Sequence, residues 1–231
     1  MQIVPLPVFE EDADPSRRDA LTLEEQFEKL EAPETIVVKF GALKLIGEYK
    51  QAGGIKAGCG SKLVARTHRG TELVEMLTTT CSNSGCGKSI SRKEMLEYID
   101  NSGGKNFPFY TNGRVIRIAT ADDINLMSSL QSKIDEQVRS ARVLIEEHKL
   151  AMKIVDVEPI LGGELLTFYF LSEERVDFRS VVADLASKYS TRIEMKQVGS
   201  REEARLVADY EKCGQHCCCK GFLKVHSPVS M

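Results

Sequence analysis

Residues 153–171 read KIVDVEPILGGELLTFYFL and indicate how the second half of the chain folds. The run holds two apolar-rich segments, Lys153–Ile160 and Glu164–Leu171, on either side of Leu161-Gly162-Gly163. Two such segments separated by a short glycine turn predict a β-hairpin, because glycine readily adopts the backbone angles that tight turns require. We therefore expect this hairpin to belong to a sheet whose other members flank it in the sequence.

Helical patterns surround the predicted hairpin. Apolar side chains recur every three or four positions over Ala121–Leu150, which predicts one amphipathic helix of about 28 residues. Asp177 is expected to cap a second helix that runs to Tyr189, and Ser200–Tyr210 is expected to form a shorter third one. A strand over Thr191–Val198 is expected to pair beside the first strand of the hairpin. The order helix, strand, strand, helix, strand predicts a layer in which two helices cover one face of a sheet.

Short runs with alternating apolar residues precede this region and predict five strands. They are Thr35–Phe40, Leu43–Tyr49, Lys62–Thr67, Thr71–Leu77 and Arg114–Ile118. Short strands joined by tight turns need closure to hide their edges, so we expect a small antiparallel β-barrel-like sheet. An inserted loop and helix over residues 79–113 are expected between the fourth and fifth of these strands.

The predicted fold class is α+β: a small antiparallel β-barrel-like sheet, then an α-β-β-α-β layer and a cysteine-rich C-terminal tail. The chain has 231 residues, of which 42% are hydrophobic and 28% charged, and this composition fits a globular protein large enough to bury a core. The corresponding division is an acidic mobile tail over 1–34, a β-rich domain over 35–120, an α+β domain over 121–199 and a cysteine-rich segment over 200–231.

The acidic tail holds ten acidic and three basic side chains, a net charge of −7 over residues 1–34. This charge favours a solvated, mobile segment. The spacing of Leu21, Leu23, Phe27 and Leu30 leaves open the alternative of a short amphipathic helix that docks on the body of the protein or on a partner. No run approaches the roughly 18 apolar residues of a membrane span. We expect a cytoplasmic location, where thiols stay reduced.

Four of the seven cysteines lie within residues 213–219, which read CGQHCCC. Adjacent side chains cannot all point into one core, so this cysteine run is not explained by burial of small apolar residues. It indicates a soft metal, an iron–sulfur cluster or thiol redox exchange, and the residues alone leave these three open.

Catalytic patterns are weak in this sequence. Residues 82–89 end in the Gly-Lys-Ser of a phosphate-binding loop, but Ser82 stands where that motif has glycine, so a helix N-terminus is expected there instead. Asp177 and Glu158 have the structural interpretations of a helix cap and a strand-surface residue. There is no Ser-His-Asp elbow and no His-Glu-x-x-His, and we expect a protein that is not an enzyme.

Basic residues near the third strand and the cysteine run suggest a partner surface. The candidates for nucleic-acid or partner contact are Arg192, Lys196, Arg201, Arg205 and Lys220. A direct RNA- or DNA-binding protein is therefore one alternative, because phosphate contacts are made by such side chains. Acidic residues lie among them, so a solvated, charge-balanced surface stays open. A thiol redox or zinc-binding protein is the other alternative.

Several ordered segments of the second half resemble the YaaT (RicT) family, also described as the polymerase-suppressor C-terminal domain. They are Ala151–Glu158, Leu166–Phe170, Arg175–Arg179, Thr191–Gly199 and the cysteine run with the residues that follow it. The resemblance is strong from about Ala121 to Ser230, weaker but in order over the barrel strands, and absent from the acidic tail and the 79–113 insertion.

The resemblance implies a non-catalytic regulatory or adaptor subunit of a cytoplasmic complex. In that family the partners are two small helical proteins of the RicA and RicF type, and the complex modulates RNA processing by an endoribonuclease and influences sporulation. RNA is a further possible partner.

The same resemblance implies a 4Fe-4S cluster, and it places the metal ligands on Cys213, Cys218 and Cys219, with Cys217 as an uncertain addition. The family has a second cysteine run, whereas this sequence ends at Met231, so the cluster is expected to be shared with a partner chain. Zinc is the alternative metal.

Overall fold

The computed structural model describes residues 34–57, 60–77, 92–101, 109–208, 210 and 213–214. Several features predicted above lie outside these residues. They are the acidic tail up to residue 33, the phosphate-loop-like sequence 82–89, Lys220, and the thiols of Cys217, Cys218 and Cys219.

The first sheet closes into a five-stranded barrel, as expected. Its strands are β1 (Thr35–Phe40), β2 (Leu45–Gln51), β3 (Lys62–Arg66), β4 (Thr71–Met76) and β6 (Arg114–Ile118), with a short β5 (Phe109–Tyr110) added beside β2. The order β1-β4-β3-β6-β2 is closed by the pairing of β2 with β1. The expectation of a wholly antiparallel sheet is wrong at β2, which pairs in parallel with both β5 and β6. Parallel pairing needs a long connection, and the intervening hairpin and insertion supply it.

Alternating strand residues build the barrel core, with Ile36, Val38 and Tyr49 among its fully buried members. The predicted helix of the insertion is present as α1 (Arg92–Asn101). Its Ile99 packs with Val37 of β1 on the outside of the barrel. Along β1, Ile36 and Val38 therefore face the barrel core, while Val37 between them faces α1. This alternation is the period-two pattern from which the strand was predicted.

The predicted single helix of about 28 residues is wrong, since the structure has α2 (Ala121–Gln131) and α3 (Ile134–Glu147) with a break between them. The hydroxyl of Ser132 donates to the carbonyl of Ser129 at 2.9 Å, and a serine that bonds to the preceding turn favours a helix end. Beyond the break, α3 buries Ala141 and Ile145 against the second sheet. The apolar spacing continues across the break, so periodicity alone did not reveal it.

The second sheet contains the predicted hairpin, β7 (Lys153–Pro159) and β8 (Leu165–Leu171), followed by α4 (Arg179–Tyr189), β9 (Arg192–Gln197) and α5 (Ser200–Val207). The expectation that the third strand pairs with the first is wrong, because β9 pairs in parallel with β8. The succession β8, α4, β9 is a compact βαβ unit that brings β9 beside β8, while α5 packs against β7.

The core of this layer lies between the sheet and its two helices. Phe168 of β8 is fully buried against Ala141 of α3 and Leu185 of α4. Asp177 is not the cap that was expected, since the N-cap position of α4 is Phe178. The Asp177 carboxylate nevertheless accepts the backbone N–H of Arg179, the first residue of α4, at 3.2 Å.

These observations confirm the α+β fold class, while the division into domains stays a prediction. Of the helices that the structure describes, none combines the length and apolarity needed to cross a bilayer.

Candidate functional site

The two sheets meet at a buried group of charges centred on Arg69, in the turn between β3 and β4. Its guanidinium donates to both carboxylate oxygens of Glu158 on β7, with Nη1–Oε2 at 2.7 Å and Nη2–Oε1 at 2.9 Å. It also donates from Nε to Oε1 of Glu72 on β4 at 3.0 Å. The Arg69, Glu158 and Glu72 side chains are only 8%, 8% and 4% exposed. We call this group the junction cluster.

Neutral donors complete the coordination of Glu158. The Tyr169 hydroxyl donates to its Oε2 at 2.5 Å, and the backbone N–H of Ala42, in the loop between β1 and β2, donates to its Oε1 at 2.9 Å. Burial on its own raises the pKa of Glu158, but the hydrogen bonds and positive charge of Arg69 lower that pKa overall. Burial also raises the pKa of Tyr169, and the Glu158 charge adds to this effect. Glu158 therefore stays ionised near neutral pH, while Tyr169 stays a neutral hydroxyl that donates to it.

The hairpin tips of the two sheets form a second set of contacts. The backbone N–H of Thr71 donates to Oε2 of Glu164 at 3.1 Å, and the N–H of Gly162 donates to the carbonyl of Thr71 at 3.0 Å. Gly70 has φ +150° and lies so close to the second sheet that a Cβ there would meet Cδ1 of Ile160 at 2.5 Å. Both the φ angle and this close approach favour glycine, so the relative position of the two sheets depends on close packing of the hairpins as well as on charge.

Helix α5 leads the chain from this junction to the cysteine run. Its Leu206 packs with Leu43 of the barrel and with Tyr169 and Val198 of the second layer. Beyond α5, Cys213 is exposed and Gly214 has φ +79°. Among the residues that the structure describes, no group of three or more potential metal ligands comes together. The assignment of metal ligands therefore stays a prediction.

The structure distributes the basic candidate residues unevenly. Arg192 and Lys196 lie four residues apart on β9, with Glu194 between them, and Nζ of Lys196 lies 6.0 Å from the centre of the Tyr169 ring. Arg201 is exposed on α5, but Arg205 is buried at 8% exposure, which leaves little of its side chain for a partner. Contact with nucleic acid through these residues stays a prediction.

Sequence reasoning missed the junction cluster. Glu158 was expected on a strand surface, and this is wrong because the barrel covers it. Arg69 lies in the turn between β3 and β4, where no apolar pattern indicates burial. Glu72 did carry a signal, since it alternates with Val74 and Met76 along the inward face of β4, where a carboxylate needs a buried partner.

Comparison with known proteins confirms the resemblance. Residues 113–198, which reach from β6 through β9, match the PSP1 C-terminal conserved region. The chain is 38% identical over 118 residues to "Stage 0 sporulation protein YaaT" of Bacillus subtilis (strain 168), covering 51% of this chain and 43% of that protein. It is 25% identical over 140 residues to an uncharacterised protein of Schizosaccharomyces pombe, covering 58% of this chain and 19% of that protein. The chain thus spans less than half the length of these relatives. No solved structure matches it.

Proposed function

We propose that this chain, related to the YaaT family through its PSP1 C-terminal conserved region, is a non-catalytic regulatory subunit of a cytoplasmic complex that modulates RNA processing by an endoribonuclease. The observation that carries the proposal is its 38% identity to a protein named for stage 0 of sporulation. Small helical proteins of the RicA and RicF type are the partners we propose.

The junction cluster supports a structural rather than a catalytic use of the buried charges. Both oxygens of Glu158 accept a hydrogen bond from Arg69 and one from a second donor, Tyr169 or Ala42. A carboxylate bonded in this way is held in one orientation and at a lowered pKa, so it is a poor general base near neutral pH. The cluster instead fixes a platform from which α5 and the cysteine run extend.

We further propose that the cysteine run supplies ligands to a 4Fe-4S cluster shared with a partner chain, with zinc as the alternative metal. Cys213, Cys218 and Cys219 are the proposed ligands, and Cys217 is an uncertain addition. Thiolate ligation suits both iron–sulfur clusters and zinc. The exposed position of Cys213, shortly after the packed helix α5, supports a site that is open to ligands from another protein.

Mapping of RNA ends in cells tests the regulatory role. The gene would be deleted in its native host, and the 5′ ends of all transcripts would be compared with those of the parent strain. We expect a subset of endonucleolytic ends to disappear and to return with the wild-type gene, but not with Cys218→Ser. Gln215→Ala, in the same run but without loss of a thiol, is the matched control and should restore them. An unchanged set of ends in the deletion strain would refute the proposed role in RNA processing.

Metal analysis tests the cofactor separately. The full chain and its Cys218→Ser variant would be purified without oxygen, alone and together with the partner proteins, and analysed for iron, sulfide and zinc. We expect metal in the wild type and at least a fivefold loss in the variant. Equal metal in both proteins would remove Cys218 from the ligand set, and metal in neither would refute the site.

A direct RNA-binding role is the second candidate, favoured by Arg192 and Lys196 on β9, which pairs with β8 alone among the described strands. Binding of a fluorescent single-stranded RNA would be measured by anisotropy at several salt concentrations. Each phosphate neutralised contributes a slope of about −0.7 in the logarithmic salt dependence. The double variant Arg192→Gln/Lys196→Gln should therefore flatten the slope by about 1.4. Undetectable binding by the full chain would exclude this role.

A further inference from the structure

Three isoleucines are exposed along the stretch of chain where the barrel passes into α2. Ile116 and Ile118 of β6 are 43% and 46% exposed, and Ile124 in the first turn of α2 is 46% exposed. This turn is tied back to β6, because Arg117 donates to Asp123, with Nη2–Oδ1 at 2.9 Å. We call these three residues the isoleucine patch.

The patch lies beside a free edge of β6. The last residue of β2, Gln51, is paired with Val115, and the N–H of Ala52 donates to the carbonyl of Val115 at 3.0 Å. The chain then turns away through Gly53, with φ +81°. Among the described strands, none pairs with Ile116–Ile118 on this side.

The N-terminal segment enters the barrel at this place. The carbonyl of Glu34 accepts the N–H of Gln51 at 3.2 Å, so the chain joins the sheet at the end of β2. Strand β1 is antiparallel to β2, whereas β6 is parallel to β2. Strand β1 therefore begins at the end of the barrel towards which β6 runs. Two strand spacings, about 10 Å, separate the start of β1 from β6.

We propose that the N-terminal segment of this chain, residues 21–31, docks on the isoleucine patch. Leu23, Phe27 and Leu30 follow the spacing of one helix face and would supply the apolar side chains. The four residues from Leu30 to Glu34 can span about 13 Å when extended, which is enough to cross the separation from β6.

Charge and tethering favour this occupant over others. The segment 1–34 has a net charge of −7, and the exposed Lys50 and Arg114 are register partners on β2 and β6 beside the start of β1. A segment attached through so short a link has an effective concentration on the order of millimolar, well above that of a second copy in dilute solution. The isoleucine patch is thus covered by the chain's own N-terminal segment.

A photo-crosslinker in the full chain tests the docking. Phe27 would be replaced by p-benzoylphenylalanine, and the adducts would be mapped by mass spectrometry. We expect adducts within one chain, on peptides that contain residues 114–126. The same replacement at Phe9, an aromatic position of the same tail outside the docking segment, should give at least fivefold fewer of them. Adducts that join two chains would show that a second copy occupies the patch, and equal yields from both positions would show no docking. Either result would overturn the proposal.

Hydrogen exchange gives an independent readout. In the full-length variant Phe27→Ser/Leu30→Ser, we expect amides of residues 114–126 to exchange at least threefold faster than in the wild type. Amides of β4 should be unchanged, which would show that the barrel stays folded. Equal exchange at residues 114–126 in both proteins would overturn the proposal, even if the crosslinks were found.

Discussion

Replacing Arg69 by methionine should destabilise the protein strongly. Methionine keeps much of the side-chain volume but removes the only cation of the junction cluster, so Glu72 and Glu158 would remain buried at 4% and 8% exposure without a positive charge. Breaking a buried ion pair by removal of one partner costs about 3–5 kcal/mol. For a protein of this size, a loss of about 4 kcal/mol lowers Tm by roughly 8–16 °C.

Urea unfolding followed by circular dichroism, with Tm from calorimetry, would measure this loss. Arg66→Met is the matched control, since it removes an arginine from the same hairpin. Its partner Glu164 is 41% exposed, so the effect of losing this ion pair should be much smaller.

The pH dependence of the loss provides the sharper test. In the wild type the pKa of Glu158 is lowered by Arg69, so its contribution to stability is present above the unfolded pKa of about 4.3 and is lost as pH falls through the folded pKa. In Arg69→Met, Glu158 has lost its cation, so burial raises its pKa. The folded variant then binds more protons than the unfolded one, and its free energy of unfolding should rise as pH falls from 7 to 5. A loss below about 1 kcal/mol, or one that does not shrink over this range, would refute the cluster as a buried ionic link.

Three further changes test other parts of the same arrangement. Gly70→Ala should lower the free energy of unfolding by more than about 1 kcal/mol, because its Cβ would clash with Ile160 and the φ is unfavourable for alanine; an equal Tm would contradict the close approach of the hairpins. Tyr169→Phe removes the hydroxyl that donates to Glu158 and should cost about 1.5–3 kcal/mol in urea unfolding, whereas a neutral effect would mean that water replaces the hydroxyl. Thr120→Ala removes the N-cap of α2, whose hydroxyl oxygen accepts the N–H of Asp123 at 3.3 Å, and should cost about 1 kcal/mol; faster hydrogen exchange confined to α2 would support this origin, and exchange spread over the barrel would not.

Much of the fold could be predicted because it is encoded by neighbouring residues. The turn Leu161-Gly162-Gly163 and the apolar segments beside it specify a hairpin locally, and β7 and β8 pair as expected. The break between α2 and α3 was missed, since the apolar spacing continues across it, although the Ser132 hydroxyl bonds to the preceding turn there. The pairing of β9 with β8 was also missed, because either edge of the hairpin satisfies the apolar pattern of β9.

The junction cluster shows a stricter limit on sequence reasoning. The environment of Glu158 is set by Arg69, which lies 89 positions away in the sequence, and by the backbone of Ala42 at a separation of 116. No pattern local to β7 distinguishes a solvated glutamate from one that another sheet covers. The candidate metal ligands present the opposite case, because the cysteine run is easily recognised in the sequence. Of its four thiols, however, only that of Cys213 lies in the described part of the chain.

The region shared with PSP1 proteins is not independent of the barrel. Residues 113–198 begin at the start of β6, and β6 lies between β3 and β2, so the barrel closes only through a strand that belongs to the matched region. The same region contributes Glu158 and Tyr169. Arg69 and Ala42 donate to Glu158 from the barrel side, and Tyr169 donates to it from within the second layer. Separation of the two parts would therefore open the barrel and break the ion pair between Arg69 and Glu158. The barrel and the second layer act as one platform, and a partner that binds at α5 or at β6 binds a surface whose position depends on both.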